Sequence, residues 1–250
     1  LELFTDAKIY GSCLQMPPEF LPQEYRETAE ALSHARGQLV RAYLPQLTAL
    51  LEQAAVLAQS YMVTVTNPPY MGKKNMPQAL NVFLQQHYSE GKSELYAAFI
   101  LRCKNFTKLQ GCFAMVTVHS WLFLTSFEKL RVELLRHCYI SSLVHAGAAT
   151  FEELNDFNVL ATAFVIDRQK AESAPSLFIN LADSLDTEQK INGYFCNQNH
   201  VRLMQDLFYQ IPGISFIYRA HPNALAAFFA GIPLAKIAPP RVGMQTGNNK

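Results

Sequence analysis

The sequence predicts an α/β fold on a sheet of mixed strand direction, and three observations predict it. The run Tyr61 to Thr66 (YMVTVT) is rich in β-branched residues and is stopped by Asn67-Pro68-Pro69, so it reads as a strand ending in a rigid loop. Beyond it, helical and strand patterns alternate. Two further apolar strands, Tyr139 to His145 and Phe157 to Ile166, are joined by a short turn-like stretch, the pattern of an antiparallel pair at a sheet edge.

Taken in order, Ser12 to Pro22 carries three prolines and reads as a loop. Gln23 to Gln59 then has helical periodicity interrupted at Pro45, which predicts two helices. Within it Leu47, Leu50, Leu51, Ala54, Ala55 and Ala58 recur at helical spacing, a stripe whose ordinary meaning is core packing. After the first strand come a helix at Ser93 to Leu109, a strand at Cys112 to Val118 and a helix at Phe127 to Cys138. Thr125-Ser126-Phe127-Glu128 has the pattern of a capping box for that helix. From Asp167 the periodicity is poorer, with a strand at Leu177 to Leu181 and helices near Gln198 to Tyr209 and Asn223 to Phe229. This part reads as an appended α+β region. Pro233, Pro239 and Pro240 precede the turn-rich Arg241 to Gly247, where the pattern stops without a terminating element.

Bulk properties narrow the class. The chain has 250 residues, 50% hydrophobic and 16% charged, enough to bury a full core. No apolar run reaches the roughly 18 residues of a membrane span, so no membrane association is expected. Leu1-Glu2-Leu3-Phe4 has neither a starting Met nor a secretory pattern, which suggests a stretch from inside a longer chain. The five cysteines form no CxxC pair and are odd in number, which argues against a zinc knuckle and a disulfide framework and fits a reducing cytoplasm. A formal net charge of +1 gives no sign of a nucleic-acid partner.

The chemistry concentrates at Asn67-Pro68-Pro69-Tyr70. Such a string arises by chance in a chain of this length roughly once in a thousand cases at average residue usage. In open α/β sheets ligands bind at the carboxyl ends of strands, which is where this loop lies. An aromatic amino nitrogen is a poor nucleophile because its lone pair is delocalised into the ring. The Asn67 carbonyl and a backbone carbonyl held outward by Pro68 and Pro69 could accept its two hydrogens and localise that pair. Tyr70 offers a face on which an extruded base can stack. No metal is required. Asn and Pro are also ordinary turn residues, so a plain strand-terminating turn is the other reading.

Thr66 to Tyr70 (TNPPY), Phe4 to Ser12 (FTDAKIYGS) and Ala114 to Arg131 (AMVTVHSWLFLTSFEKLR) together resemble adenine-N6 DNA methyltransferases of the gamma arrangement. The resemblance covers most of residues 1–168 and is strongest to the PglX-like enzymes of BREX phage defence and to restriction-modification fusion methyltransferases. It implies the second half of a Rossmann-like, S-adenosylmethionine-dependent methyltransferase sheet over residues 1–168. A connecting region at 169–240 and the start of a target-recognition domain at 241–250, carrying Gly243 to Asn249 (GMQTGNN), would follow.

Position by position, Asn67, Pro68, Pro69 and Tyr70 match the family's catalytic loop. Asp6 matches the acidic position that hydrogen-bonds the adenine of the methyl donor, a solvated loop acid being the alternative. Phe151 lies where a second aromatic closes over the flipped base, with Phe157 as its competitor and core packing as the bland reading of either. His119, Ser120 and Trp121 could line the same crevice or be structural. Lys73 and Lys74 could meet DNA phosphates or be merely solvated, and Glu90 to Glu94 reads as an exposed loop and helix start. The family's Gly-rich donor loop and ribose-binding acid have no counterpart here. Gly11 and Gly37 stand alone, so the donor pocket in this stretch is incomplete. The implied partners are duplex DNA and other subunits of a defence complex. The same loop could serve an RNA adenine or a protein glutamine, and a silent DNA- or partner-binding module is the alternative from another class.

Overall fold

The computed structural model describes residues 4–17, 21–34, 38–150, 159–170, 174–232 and 234–238. After a short turn of helix α1 (Ala7–Tyr10), helices α2 (Pro22–Ser33) and α3 (Gln38–Ala58) pack side by side. Pro22 starts α2, and the Glu24 carboxylate accepts from the Leu21 backbone N–H at 2.6 Å, closing its first turn. The expected pair of helices is present, but their boundary differs. Pro45 lies inside α3, exposed, where the helix forgoes one backbone bond. Packing of the stripe beyond it, with Ala54 and Ala55 fully buried, holds the helix together across that loss.

Strand β1 (Tyr61–Thr66) has the bounds its sequence predicts, because the prolines that follow cannot continue a ladder. The next helix, α4 (Gln78–His87), was not expected. It follows Pro77 and buries Leu80 and Leu84 at a spacing of four. Helix α5 (Leu95–Phe106) ends three residues earlier than periodicity suggests. Thr107 turns extended there and its hydroxyl bonds back to the Cys103 carbonyl at 2.7 Å. Strand β2 (Thr107–Val118) is correspondingly longer. Helix α6 (Glu128–His137) has no side-chain cap: Thr125 to Phe127 form a 3-10 turn that leads directly into it, so the capping box does not form.

Strands β3 (Tyr139–Gly147), β4 (Ala161–Asp167), β5 (Ser176–Asn180) and β6 (His200–Leu203) complete a six-stranded sheet of order β1-β2-β4-β3-β5-β6. β1 and β2 are parallel, as are β3 and β5, whereas β4 and β6 run against their neighbours. β3 and β4 do pair antiparallel, but inside the sheet: β5 and β6 extend it past them, so among the described strands the edges are β1 and β6. The expected helix near Gln198 to Tyr209 is instead β6 between two 3-10 turns, since His200 to Leu203 find ladder partners on β5. An unexpected helix α7 (Thr187–Phe195) precedes it, capped by Asp186 accepting from the Gln189 N–H at 2.8 Å. Helix α8 (Pro222–Ala230) matches the expected one, and a turn of helix α9 (Leu234–Ile237) follows.

One core unites the sheet with the helices on one of its faces. Phe113 and Met115 of β2, Phe164 and Ile166 of β4 and Leu143 of β3 bury against Ile100 of α5 and Leu130 and Leu134 of α6. The alternate residues Ala114, Val116, Val144, Ala163 and Val165 face the other way and stay half-buried. The strand period of two thus divides a clad face from an open one.

Candidate active site

The loop Asn67 to Tyr70 leaves the carboxyl end of β1 beside β2, just past the pairing of Thr66 with Met115. Pro68 is buried and fixes the turn, while Asn67 and Pro69 are exposed. The Tyr70 hydroxyl donates to Asn67 Oδ1 at 3.1 Å, with the Val116 carbonyl 3.4 Å away as a second acceptor. That bond orients the amide: Oδ1 faces Tyr70 and keeps a second lone pair for another donor. Partial burial raises the Tyr70 pKa, so the phenol stays a neutral donor at neutral pH.

A second layer supports Tyr70. The Tyr96 ring meets it edge to face with centroids 6.3 Å apart, and the buried Tyr96 hydroxyl hydrogen-bonds Ser120 Oγ at 2.7 Å. On its far side the loop is stitched to the start of α5. The Leu95 N–H donates to the Met71 carbonyl at 2.9 Å and the Lys73 N–H to the Ser93 carbonyl at 3.0 Å. Gly72 pairs with Glu94 so closely that a Cβ there would lie 2.8 Å from the Glu94 carboxylate.

Asn67 and Thr66 border a cleft of about 390 Å³ over the open face of the sheet. Its floor is Val65, Ala114, Val116, Val144, Ala163 and Val165, and Tyr194 of α7 borders it. Among the described residues no acidic side chain lines it; the polar groups at its border are the Asn67 amide and the Thr66 and Ser142 hydroxyls.

The other predicted positions are dispersed. Asp6 is exposed, accepts from the Tyr10 hydroxyl at 3.4 Å and does not line the cleft at Asn67. Its neighbours Phe4 and Ala7 border a separate cavity of about 490 Å³ against α3. Phe151 and Phe157 lie outside the described residues, as does the Gly243 to Asn249 segment. Lys73 and Lys74 are exposed. Trp121 is fully buried, its indole N–H donating to Thr117 Oγ1 at 3.1 Å, which makes it core. His119 is half-buried and joined to His145, with Nδ1 of the first 2.6 Å from Nε2 of the second. Sequence reasoning missed Tyr96 and His145. Tyr96 sits in an ordinary helical stripe, and only the pairing of β3 with β4, and β4 with β2, brings His145 to His119.

The model of the Eco57I restriction-modification methylase family matches residues 23–151, more than half of the chain and inclusive of this loop. The chain belongs to that family. Among similar proteins, the adenine-specific methyltransferase PglX of Lacticaseibacillus casei (strain Zhang) is 37% identical over 212 residues, 82% of this chain. The adenine-specific methyltransferase BrxX of Escherichia coli O9:H4 (strain HS) is 33% identical over 230 residues, 88% of this chain. This Eco57I-family chain spans 18% of the length of each. Among solved structures, the type ISP restriction-modification enzyme LlaBIII bound to DNA aligns with a TM-score of 0.47 at 13% identity, over 70% of this chain and 14% of that one. A type I restriction-modification methyltransferase subunit from Streptococcus thermophilus aligns with a TM-score of 0.47 at 17% identity, over 70% and 45%. Among the described residues of this family member no cluster of three or more His, Cys, Asp or Glu could hold a metal ion, and no helix is long and apolar enough to cross a membrane.

Proposed function

We propose that this chain carries the catalytic loop of a DNA adenine-N6 methyltransferase serving restriction-modification or phage defence. The observation that carries the reading is the Asn67 amide, oriented by the Tyr70 hydroxyl at the carboxyl end of β1 and open on its other lone pair. The adenine amino group donates one hydrogen to Asn67 Oδ1 and the other to a backbone carbonyl of the Pro68-Pro69 turn. The nitrogen lone pair is thereby drawn out of ring conjugation and aimed at the reacting methyl. The extruded base stacks on the exposed face of Tyr70, and Phe151 is its second stacking partner in this reading. S-adenosylmethionine, when bound, supplies the electrophilic methyl group.

The residues present fit that donor in part. Asn67 borders the cleft, and Asp6, which lies outside that cleft, is the candidate for the donor's adenine ring on the family resemblance alone. In this reading residues 1–168 form the catalytic part, 169–240 connect it, and 241–250 open a target-recognition domain. Duplex DNA is the substrate, defence-complex subunits are partners, and the work is done in the cytoplasm.

The test is methyl transfer by the full-length protein carrying this segment, offered DNA, RNA and protein in parallel. N6-methyladenine in DNA is expected from wild type and none from Asn67→Ala; retained transfer by that variant, or label in RNA or glutamine alone, overturns the reading.

A further inference from the structure

Behind the loop a chain of side-chain hydrogen bonds runs through the carboxyl ends of three strands. His119 Nδ1 lies 2.6 Å from His145 Nε2, and His145 Nδ1 lies 2.8 Å from the Tyr218 hydroxyl. That hydroxyl is 3.4 Å from Asn180 Oδ1, and Asn180 Nδ2 donates to Asp183 Oδ2 at 2.7 Å. Arg219 closes the outer end with an ion pair to the same carboxylate oxygen at 2.6 Å. His145 and Tyr218 are buried.

The fixed end decides the direction of the whole chain. Asp183, as a carboxylate, only accepts, so Asn180 presents its NH₂ to it and its oxygen inward, where the Ala182 N–H also donates to that oxygen at 3.4 Å. The Tyr218 O–H then donates to Asn180 Oδ1 and its oxygen accepts from His145 Nδ1–H. His145 Nε2 must accept from His119 Nδ1–H. In the opposite direction the Tyr218 and Asn180 oxygens would face each other with no hydrogen between them, one bond fewer. The favoured direction leaves His119 Nε2 with its lone pair. Among the described residues nothing bonds that nitrogen, and His119 is half-buried. Ser120, next in the chain, holds Tyr96, and Tyr96 backs Tyr70.

We propose that Tyr218 and His145 are positioning residues that hold His119 with its proton on Nδ1, leaving Nε2 as a hydrogen-bond acceptor for a base N–H beside the Asn67 to Tyr70 loop. The inference rests on the nucleic-acid reading of that loop. Among the described residues the titratable and charged groups facing the histidine pair are Tyr218, Asp183 and Arg219. Burial lowers the pKa of His119. Burial, the neighbouring His119 and Arg219 lower that of His145, against Asp183, so both rings are neutral at pH 7.

The test measures the Kd of duplex DNA containing the methylated sequence for the full-length protein, wild type, His119→Gln and Tyr218→Phe, over a pH series from about 7.5 down to the lowest pH at which the protein stays folded. Protonation, which burial of His119 delays to lower pH, turns Nε2 from acceptor into donor, so wild type is expected to lose up to about tenfold in affinity as the pH falls through the titration of that ring, one hydrogen bond's worth. His119→Gln, whose amide has no proton to gain in this range, is expected to lack that pH-dependent loss, whatever its affinity at neutral pH. Tyr218→Phe frees the relay to reverse and is expected to weaken binding several-fold at neutral pH, measured well below the variant's own melting temperature. Tighter binding by wild type at low pH, relative to His119→Gln, would mean that His119 meets a phosphate and overturns the proposal, as would identical pH dependence in the two proteins. Because binding and not turnover is read, failure here is separate from failure of the methyltransferase reading, which shows as absent N6-methyladenine in wild type.

Discussion

At the scale of single residues the site separates orientation from contact. The Tyr70 hydroxyl holds the Asn67 amide, whereas the Tyr70 ring is the stacking surface, so two substitutions pull the roles apart. Tyr70→Phe keeps the ring and removes a hydrogen bond of about 1 kcal/mol net, which should lower kcat about fivefold with KM for DNA little changed. Tyr70→Ala also removes stacking worth about 1–3 kcal/mol per base and should raise KM about tenfold or more. Equal KM values for the two variants in steady-state assays would contradict this division. His145 makes a different prediction, for stability. Its folded pKa is pushed down to about 4, first by burial and then by His119, from an ordinary value of 6.5. Above pH 6.5 both folded and unfolded forms are neutral; as pH falls below it the unfolded chain binds a proton that folded His145 takes only near pH 4. Stability is therefore full at neutral pH and declines through this window by about 3 kcal/mol, at about 1.4 kcal/mol per pH unit. Urea unfolding at a series of pH values should show that decline in wild type and a shallower one in His145→Gln.

At the scale of elements, Arg131 ties α6 to the segment that carries Tyr218. Fully buried, it donates to the carbonyls of Trp121 at 2.6 Å, Leu124 at 2.9 Å, Gly213 at 2.7 Å and Ile214 at 2.8 Å. Gly213 and Ile214 both have positive φ, 68° and 52°, and for a β-branched residue that conformation is strained unless its surroundings impose it. The guanidinium fork is what grips that turn. Arg131→Met should cost about 3–5 kcal/mol, because four carbonyls lose their donor, and Arg131→Lys should recover little since an ammonium cannot span the same four; denaturant midpoints with unchanged m-values would check both. None of this was legible in the sequence, where Arg131 is one more charge on an amphipathic helix. What was legible had a local cause. β1 could be bounded because Pro68 and Pro69 forbid its continuation, and β3 because an apolar alternation announces it. α4 escaped notice because two buried leucines make a weak stripe, and β6 because its ladder partners lie on β5. The break assigned to Pro45 failed because packing of Ala54 and Ala55 outweighs one lost backbone bond. The candidate site divides in the same way: the Asn67 to Tyr70 loop is contiguous and readable, whereas Tyr96, His145 and Tyr218 reach it only through the fold.

At the scale of the whole molecule, among the described residues one face of the sheet is clad by α5 and α6 and the other is largely open and mostly apolar. Along β1 this asymmetry reaches the sheet edge: Val63 is 60% and Val65 71% exposed, on a strand paired with a neighbour on one side only among the described residues. An exposed apolar edge strand next to an uncovered apolar face is a template for pairing with another chain. The 250-residue chain expressed by itself is therefore expected to bind apolar dyes such as ANS in its folded state and to self-associate with rising concentration. A charge on the edge opposes strand addition without entering the core, because Val63 is mostly solvent-facing. Val63→Lys should thus shift the chain toward monomer in analytical ultracentrifugation and leave the thermal midpoint within a few degrees, surface substitutions being worth about 0.5 kcal/mol or less. Dye binding should persist in that variant, since the floor of Ala114, Val116, Val144 and Val165 is untouched. If Val63→Lys abolished dye binding as well, the edge rather than the face would be the exposed apolar surface, and the cleft bordered by Asn67 would have to be covered by the chain's own residues.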